Sequence, residues 1–352
     1  MIDLRSDTVT LPDKRMRKII SSAEVGDDAY GEDKSVNLLQ DYCKELFHVE
    51  DALFVTSGML SNRLAIMSQV EKGDEVITEY NYHINFFDSA ACSSICNVVL
   101  NTVRTKNGIL SCKDVKQVIE SKPRYYLFSQ PKLVSIENSI NGWVGKIFPI
   151  KELEKLRVFT KESNMSIHLD GARIFNAHVE TNIPLSEYAK QTDTMSICLS
   201  KGLGAPYGSV LLGNKEIIDK ARKYRVWLGG GVHQVGFNAQ AAYHAIKNNI
   251  SRIKIDHENT RVFLDKLKKI EELIINPLSG STNMIQFNIS KLKSSPDEFL
   301  TQCEKLGLLL FPWLPNTIRA VVHKDISLSD IVTASDIIKK VVASIVMKKK
   351  IN

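Results

Sequence analysis

The sequence predicts an α/β protein built on a mainly parallel sheet, followed by a smaller α+β unit. Through the middle of the chain, short apolar runs alternate with helical patterns, as strand–helix–strand crossovers require. From about Ala241 this alternation gives way to long helical stretches separated by isolated strands. Glycines and ionisable residues also cluster just after the apolar runs, where open α/β sheets bind their ligands.

The apolar runs predict strands at Ala52–Val55, Glu75–Thr78, Asn97–Val103, Tyr125–Ser129, Val134–Glu137, Ser166–Leu169, Thr194–Leu199 and Ser209–Leu212. Helical periodicity falls between several of them, at Leu60–Val70, Ile150–Ser163 and Glu216–Tyr224. A long helical stretch then runs from Ala241 through Asn248 to Leu267. After it come Asn283–Ile289, Pro296–Leu306, Thr317–Val322 and Ser329–Met347. The division expected from this change is a large domain over 1–245 and a small C-terminal domain over 246–352, joined by a helix.

Composition narrows the class. With 352 residues, 43% hydrophobic and 24% charged, the chain has the balance of an ordinary globular protein. Its 46 Lys+Arg against 40 Asp+Glu leave +6, spread along the chain apart from Lys348, Lys349 and Lys350. That short run reads as the cationic end of a helix, since a nucleic-acid footprint needs a wider basic stripe. The six cysteines form no Cys-x-x-Cys pair and no metal-ligand spacing with histidine, so reduced thiols and no metal site are expected. The first residues are charged and lack an apolar signal core, and no run of about 18 apolar residues exists. A cytoplasmic protein that binds neither nucleic acid nor membrane is expected.

Four segments hold the candidate chemistry. In Leu199–Ser209, Lys201 stands between an apolar run and a stretch rich in glycine; an amine in a partly apolar pocket is an effective Schiff-base nucleophile. Taken alone, the segment reads equally well as a surface lysine in a glycine-rich turn. Its glycine spacing is not that of a dinucleotide site, and Pro206 blocks a helix start there. In Ser166–Asn176, Asp170 ends an apolar strand, and a buried carboxylate needs a cationic partner. The protonated ring nitrogen of pyridoxal phosphate is one such partner; a turn pair with Arg173 is another. Arg173 also suits a carboxylate gripped by two parallel hydrogen bonds. In Val55–Asn62, a strand passes through small residues into a helix, and the N–H groups of Gly58, Met59 and Leu60 form an anion seat. Simple capping by Thr56 or Ser57 is the alternative. In Asn81–His83, His83 offers a ring that could stack on a cofactor and move protons near neutrality.

Together these segments resemble the low-specificity threonine aldolase family of fold-type-I pyridoxal-phosphate enzymes. The likeness extends over nearly the whole chain: Ile2–Thr10, Gly26–Asp33, His168–Ala177, Leu199–Pro206 and Leu228–Gly231 all follow the family pattern. The resemblance implies a seven-stranded, mainly parallel sheet in the large domain, pyridoxal 5'-phosphate as cofactor and a small amino acid as substrate. It implies that Lys201 binds the cofactor covalently, Asp170 pairs with its ring nitrogen, His83 stacks on the ring, and Gly58 and Met59 hold the phosphate. Ser6, Arg173 and Arg319 would bind the substrate carboxylate. Tyr30, Gly230 and His233 would come from a neighbouring subunit of a homotetramer or homodimer with shared active sites. The implied reaction is cleavage of the Cα–Cβ bond of threonine, allo-threonine or a related β-hydroxy-α-amino acid to glycine and an aldehyde.

Several positions depart from that pattern. Met59 stands for a threonine, Asn138-Ser-Ile-Asn141 for Asn-Thr-His-Asn, Val232-His-Gln234 for Met-Arg-Gln, and Asp88-Ser-Ala90 for Glu-x-Gly-Gly. These changes leave open a racemase, a β-eliminating lyase or a transaldolase on the same cofactor. A binding homologue without catalysis is the reading outside the enzymes, and the presence of Lys201, Asp170 and Arg319 speaks against it.

Overall fold

The structure is a computed structural model describing residues 1–123 and 125–351, the last three without their side chains. The Lys349 and Lys350 side chains of the expected basic run therefore lie outside the described residues. Thirteen strands follow in chain order: β1 Ile2–Asp3, β2 Asp51–Val55, β3 Glu75–Glu79, β4 Val99–Val103, β5 Pro131–Glu137, β6 Ser166–Gly171, β7 Thr194–Cys198, β8 Ser209–Gly213, β9 Ile274–Ile275, β10 Met284–Asn288, β11 Leu308–Leu309, β12 Phe311–Leu314 and β13 Thr317–Val321.

Seven of them form the main sheet in the order β2-β8-β7-β6-β5-β3-β4. Its neighbours pair in parallel except that β8 runs against both β7 and β2. The sequence pattern explains why this sheet is interior. β3, β7 and β8 are buried at every position, as strands covered on both faces must be. β4, at the edge, is half-exposed. Helices Gly58–Gln69 and Lys215–Trp227 pack on each other and on the sheet, and helix Gly236–Asn249 packs on Lys34–Phe47.

The buried apolar residues fall into two large clusters. One surrounds the main sheet, from Met16 to Ile253. The other joins Ile2 and Leu4 to residues from Phe263 to Ile345. This second core holds an antiparallel sheet of order β12-β13-β10-β9 with helices Ile253–Leu267, Pro296–Lys305 and Leu328–Ile351. The start of the chain is fastened to it: β1 pairs in parallel with β11, Ile2 opposite Leu308. The N-terminal segment thus crosses from the second core to the main-sheet region.

Two expectations need correction. Tyr125–Ser129 is an exposed turn, and the strand begins only at Pro131. Four consecutive aromatic or aliphatic residues favour a strand by propensity. Here, however, Tyr126 is 80% exposed, with its ring against Tyr125. The long helical stretch to Leu267 is also two helices, Gly236–Asn249 and Ile253–Leu267, broken by a turn at Ser251–Arg252.

Candidate active site

The C-terminal ends of β3, β5, β6 and β7 converge. Glu137 and Asp170 close β5 and β6 there, and His83 and Lys201 stand just past the ends of β3 and β7. Lys201 follows β7 by three residues, in a loop held from several sides. Thr10 donates its hydroxyl to the Lys201 carbonyl at 3.0 Å, and Asn249 donates its amide to the Leu203 carbonyl at 2.7 Å. Gly204 is required in this loop: its φ is +76°, and a side chain there would strike the stem of Lys324.

Asp170 lies near the end of β6, buried, with both oxygens engaged. Asn62 donates to Oδ2 at 2.8 Å and the Ala172 N–H to Oδ1 at 3.0 Å. Burial, the largest influence, pushes its carboxyl upward; the fields of His83, Lys201 and His168, with the Asn62 hydrogen bond, outweigh it and hold the carboxyl below the usual range. Behind Asp170 runs a polar relay that sequence reasoning missed. Because the Asn62 amide nitrogen serves Asp170, its oxygen faces His168 Nε2 at 3.0 Å, which must donate. That leaves His168 Nδ1 to accept from Thr194 Oγ1 at 2.9 Å, which in turn accepts from Gln69 Nε2 at 2.8 Å. Every donor in the chain points toward Asp170. His168 stays neutral in it, its pKa pushed down to about 4 chiefly by burial.

His83 opens the short helix His83–Phe86, and its N–H donates to Glu137 Oε2 at 2.7 Å. Its ring rests on Phe87, with Nδ1 buried and unpartnered among the described residues. Burial first, then the charges of Lys201 and Arg173, lower its pKa against the opposing pull of Asp170 and Asp88. The ring is therefore neutral at pH 7, with a nitrogen free to accept a proton.

Of the N–H groups expected to form an anion seat, that of Leu60 is taken: Ser57 caps helix Gly58–Gln69 by accepting from it at 3.2 Å. The first N–H groups of the helix, on Gly58 and Met59, remain available. Ser209 Oγ, buried and without a partner among the described residues, lies 3.5 Å from where a side chain on Gly58 would begin.

Of the expected carboxylate grip, the structure separates the parts. Arg173 is buried and binds Asp7 through two parallel hydrogen bonds, Nε to Oδ2 at 2.8 Å and Nη2 to Oδ1 at 2.7 Å. It pairs neither with Asp170 nor, through that fork, with a ligand; what it has left is Nη1. Asp7, which lies in the Ile2–Thr10 motif but was given no role there, has its pKa brought to about 2: burial opposes ionisation, but Arg173, Lys201 and Arg319 outweigh it. Ser6 caps the turn at Asp7–Val9 through the Thr8 N–H. Arg319, on β13, donates to Asn141 Oδ1 at 3.1 Å and to the Arg5 carbonyl at 3.2 Å, leaving its buried Nε unpartnered among the described residues. Burial and the charge of Arg173 bring its pKa down to about 10, against the pull of Asp7.

Tyr30, Gly230 and His233 gather elsewhere. His233 pairs with Asp27 at 3.0 Å, its carbonyl accepts from the Asp28 N–H at 3.1 Å, and Asp28 pairs with buried Arg225 at 2.6 Å. Gly230 lies against Leu60 and Arg225, too close for any side chain. The patch is open: Tyr30 is 80% and Trp227 65% exposed, with Val226 and Val232 beside them.

The group of charges fits pyridoxal phosphate. Lys201, Arg173 and Arg319 face the acids Asp7, Asp170 and Glu137, and the N–H groups of Gly58 and Met59 at the start of their helix have no partner among the described residues. His83 Nδ1, Ser209 Oγ and Arg319 Nε are buried and without a partner among the described residues.

Comparison with known proteins agrees. Residues 3–290 match the beta-eliminating lyase family. The chain is 37% identical to the low specificity L-threonine aldolase of Escherichia coli K12, over 93% of this chain and 95% of that one. It is 35% identical to the probable low-specificity L-threonine aldolase 2 of Arabidopsis thaliana, over 94% of each. In fold it is similar to the threonine aldolase of Leishmania major, with a TM-score of 0.84 over 97% of this chain and all of that one, at 18% identity. The serine palmitoyltransferase of Sphingomonas wittichii shares the fold at a TM-score of 0.76 over 98% of this chain and 88% of that one, at 16% identity. The chain belongs to the beta-eliminating lyase family, among the relatives of the low-specificity threonine aldolases.

Proposed function

We propose that the protein is a pyridoxal-phosphate lyase that cleaves the Cα–Cβ bond of threonine, allo-threonine or a related β-hydroxy-α-amino acid, giving glycine and an aldehyde. The observation behind this reading is the meeting of Lys201, Asp170 and His83 in one buried field at the strand ends, each shifting its neighbours. Lys201 would hold the cofactor covalently, Asp170 its ring nitrogen, His83 its ring face, and the Gly58 and Met59 N–H groups its phosphate. Bound there, the cofactor would supply an aldehyde for the substrate amine and an electron-withdrawing ring for the bond that breaks.

This chain's residues do the rest. Arg319, with its free Nε, binds the substrate carboxylate, helped by Arg173 Nη1 and the Ser6 hydroxyl. Fixing that end sets which bond at Cα is oriented for cleavage. His83, neutral because it is buried, takes the β-hydroxyl proton at Nδ1. The aldehyde leaves, the bonding pair stays on the Cα side, and a proton delivered there completes glycine. The relay from Gln69 to Asn62 keeps Asp170 ionised throughout.

Two further parts belong to this reading. The chain acts as a homotetramer or homodimer; the open patch of Tyr30, Trp227, Val226 and Val232 supports this, since such apolar area is seldom left to water. Residues 1–245 and 246–352 act as large and small domains, a division supported by the two buried clusters.

The test is a screen of purified protein, loaded with pyridoxal phosphate, against threonine, allo-threonine, phenylserine, serine and alanine. Aldehyde and glycine are expected from the β-hydroxy acids, and Lys201→Ala should lose turnover by roughly a thousandfold or more. Full turnover in Lys201→Ala would overturn the mechanism; exchange of the Cα hydrogen without aldehyde would point to a racemase.

A further inference from the structure

One buried acid of the site has no part in the mechanism above. Glu137 is the last residue of β5 and lies opposite Asp170 in the ladder, so the two side chains leave the same face of the sheet. Its two oxygens are both committed, to different segments. Oε2 accepts from the His83 N–H at 2.7 Å, and Oε1 accepts from the Asn141 N–H at 2.8 Å.

Both donors begin a turn of helix, and neither turn has a side-chain cap of its own. Tyr82 precedes His83–Phe86 without a capping bond, as Ile140 does before Asn141–Trp143. Glu137 thus caps both from a third element. Each capped segment holds one of the groups assigned to the substrate. His83 carries the ring with its free Nδ1, while Asn141 accepts from Arg319 Nη1 at 3.1 Å. A single carboxylate therefore spans from the proton acceptor to the cation that binds the substrate carboxylate.

We propose that ionised Glu137 is a positioning residue that clamps His83 and Arg319 at a fixed spacing, so that substrate is gripped well only while Glu137 carries its charge. A protonated carboxyl turns one acceptor into an O–H and can no longer cap both segments. The surroundings place this change within the working range. Burial first and Asp170 second raise the Glu137 pKa to about 7, against the two N–H groups and Arg173. Buried Tyr82, on the segment leading into His83, also feels its charge. With the folded pKa raised, the clamp is engaged on the alkaline side and released as the solution turns acid.

The inference rests on the cofactor and substrate placement proposed above, so its test reads binding as well as turnover. Glycine is titrated into protein loaded with pyridoxal phosphate, followed by the cofactor's absorbance, across pH values on both sides of about 7. Wild-type affinity should strengthen as pH rises through that region. Glu137→Gln, which caps one segment but never ionises, should bind glycine about tenfold more weakly at alkaline pH and lose that pH limb, with pyridoxal-phosphate affinity nearly unchanged. Equal glycine affinity and an equal limb in both proteins would overturn the inference, whatever the turnover. If the variant does not fold, a wild-type glycine affinity flat across neutrality would overturn it as well. Absence of aldehyde from wild-type protein that still shows the glycine limb would instead sink the proposed reaction and leave the clamp standing.

Discussion

His168 shows how one side chain ties the chemistry of the site to the stability of the fold. It is wholly buried and must remain neutral to donate toward Asn62 while accepting from Thr194. Its pKa falls from 6.5 to about 4 on folding. A depressed folded pKa contributes stability that is fully present above the unfolded pKa. That stability is lost as pH falls through the window between the two values. The protein should therefore lose roughly 3 kcal/mol of unfolding free energy between about pH 6.5 and pH 4 on account of this ring. Urea titrations at several pH values measure it, and His168→Asn should flatten that part of the curve. A variant with the wild-type slope would mean that His168 is not the group taking up the proton. The same substitution breaks the relay, so Asp170 should hold the cofactor less tightly. Little of this was legible in the sequence. His168 and Asp170 share a strand motif, but Asn62, Thr194 and Gln69 join them only through the sheet and its covering helix. Asp7 was hidden for the same reason: 166 residues separate it from Arg173.

At the scale of elements, the strands buried at every position were read from short apolar stretches bounded by turns and helical patterns, such as Val76-Ile77 in β3 and Val210-Leu211-Leu212 in β8. The failure at Tyr125–Ser129 has the same root, since an apolar run that nothing covers has no reason to join a sheet. The turn from β2 into helix Gly58–Gln69 was read as an anion seat or, alternatively, as a simple cap; the structure shows the cap, and the seat belongs to the proposed function. Ser57 takes Leu60; Gly58 and Met59 stay free. Ser57→Ala should then cost about 1 kcal/mol of stability, the usual loss for a capping hydroxyl. Urea unfolding of the cofactor-free protein checks this. No change in the midpoint would mean that the cap bond contributes nothing to holding the helix start in place.

At the scale of the whole molecule, one contact between the main-sheet region and the second core is aromatic, and it lies beside Arg319. Phe86 and Phe87 reach from the end of helix His83–Phe86, and Trp313 answers from β12, stacked on Phe86 with ring centroids 5.5 Å apart. Arg319 lies over the Trp313 ring at 4.7 Å and the Phe311 ring at 4.8 Å. The guanidinium proposed to bind the substrate is thus backed by rings of its own sheet, and Trp313 leans on the helix that presents His83. Trp313→Ala removes the backing without touching any group assigned to the cofactor. A cation over an aromatic face is worth about 0.5–2 kcal/mol, so KM for threonine should rise by roughly 2- to 30-fold. Pyridoxal-phosphate affinity should change far less than KM, because Lys201, Asp170, Gly58 and Met59 stand on the main sheet, its loops and its covering helix, and only His83 is reached, through Phe87. Measuring KM beside a cofactor titration separates the cases. Equal losses in both would mean that Trp313 supports the fold at large; a loss confined to KM would show that the second core works on the substrate alone, through Arg319.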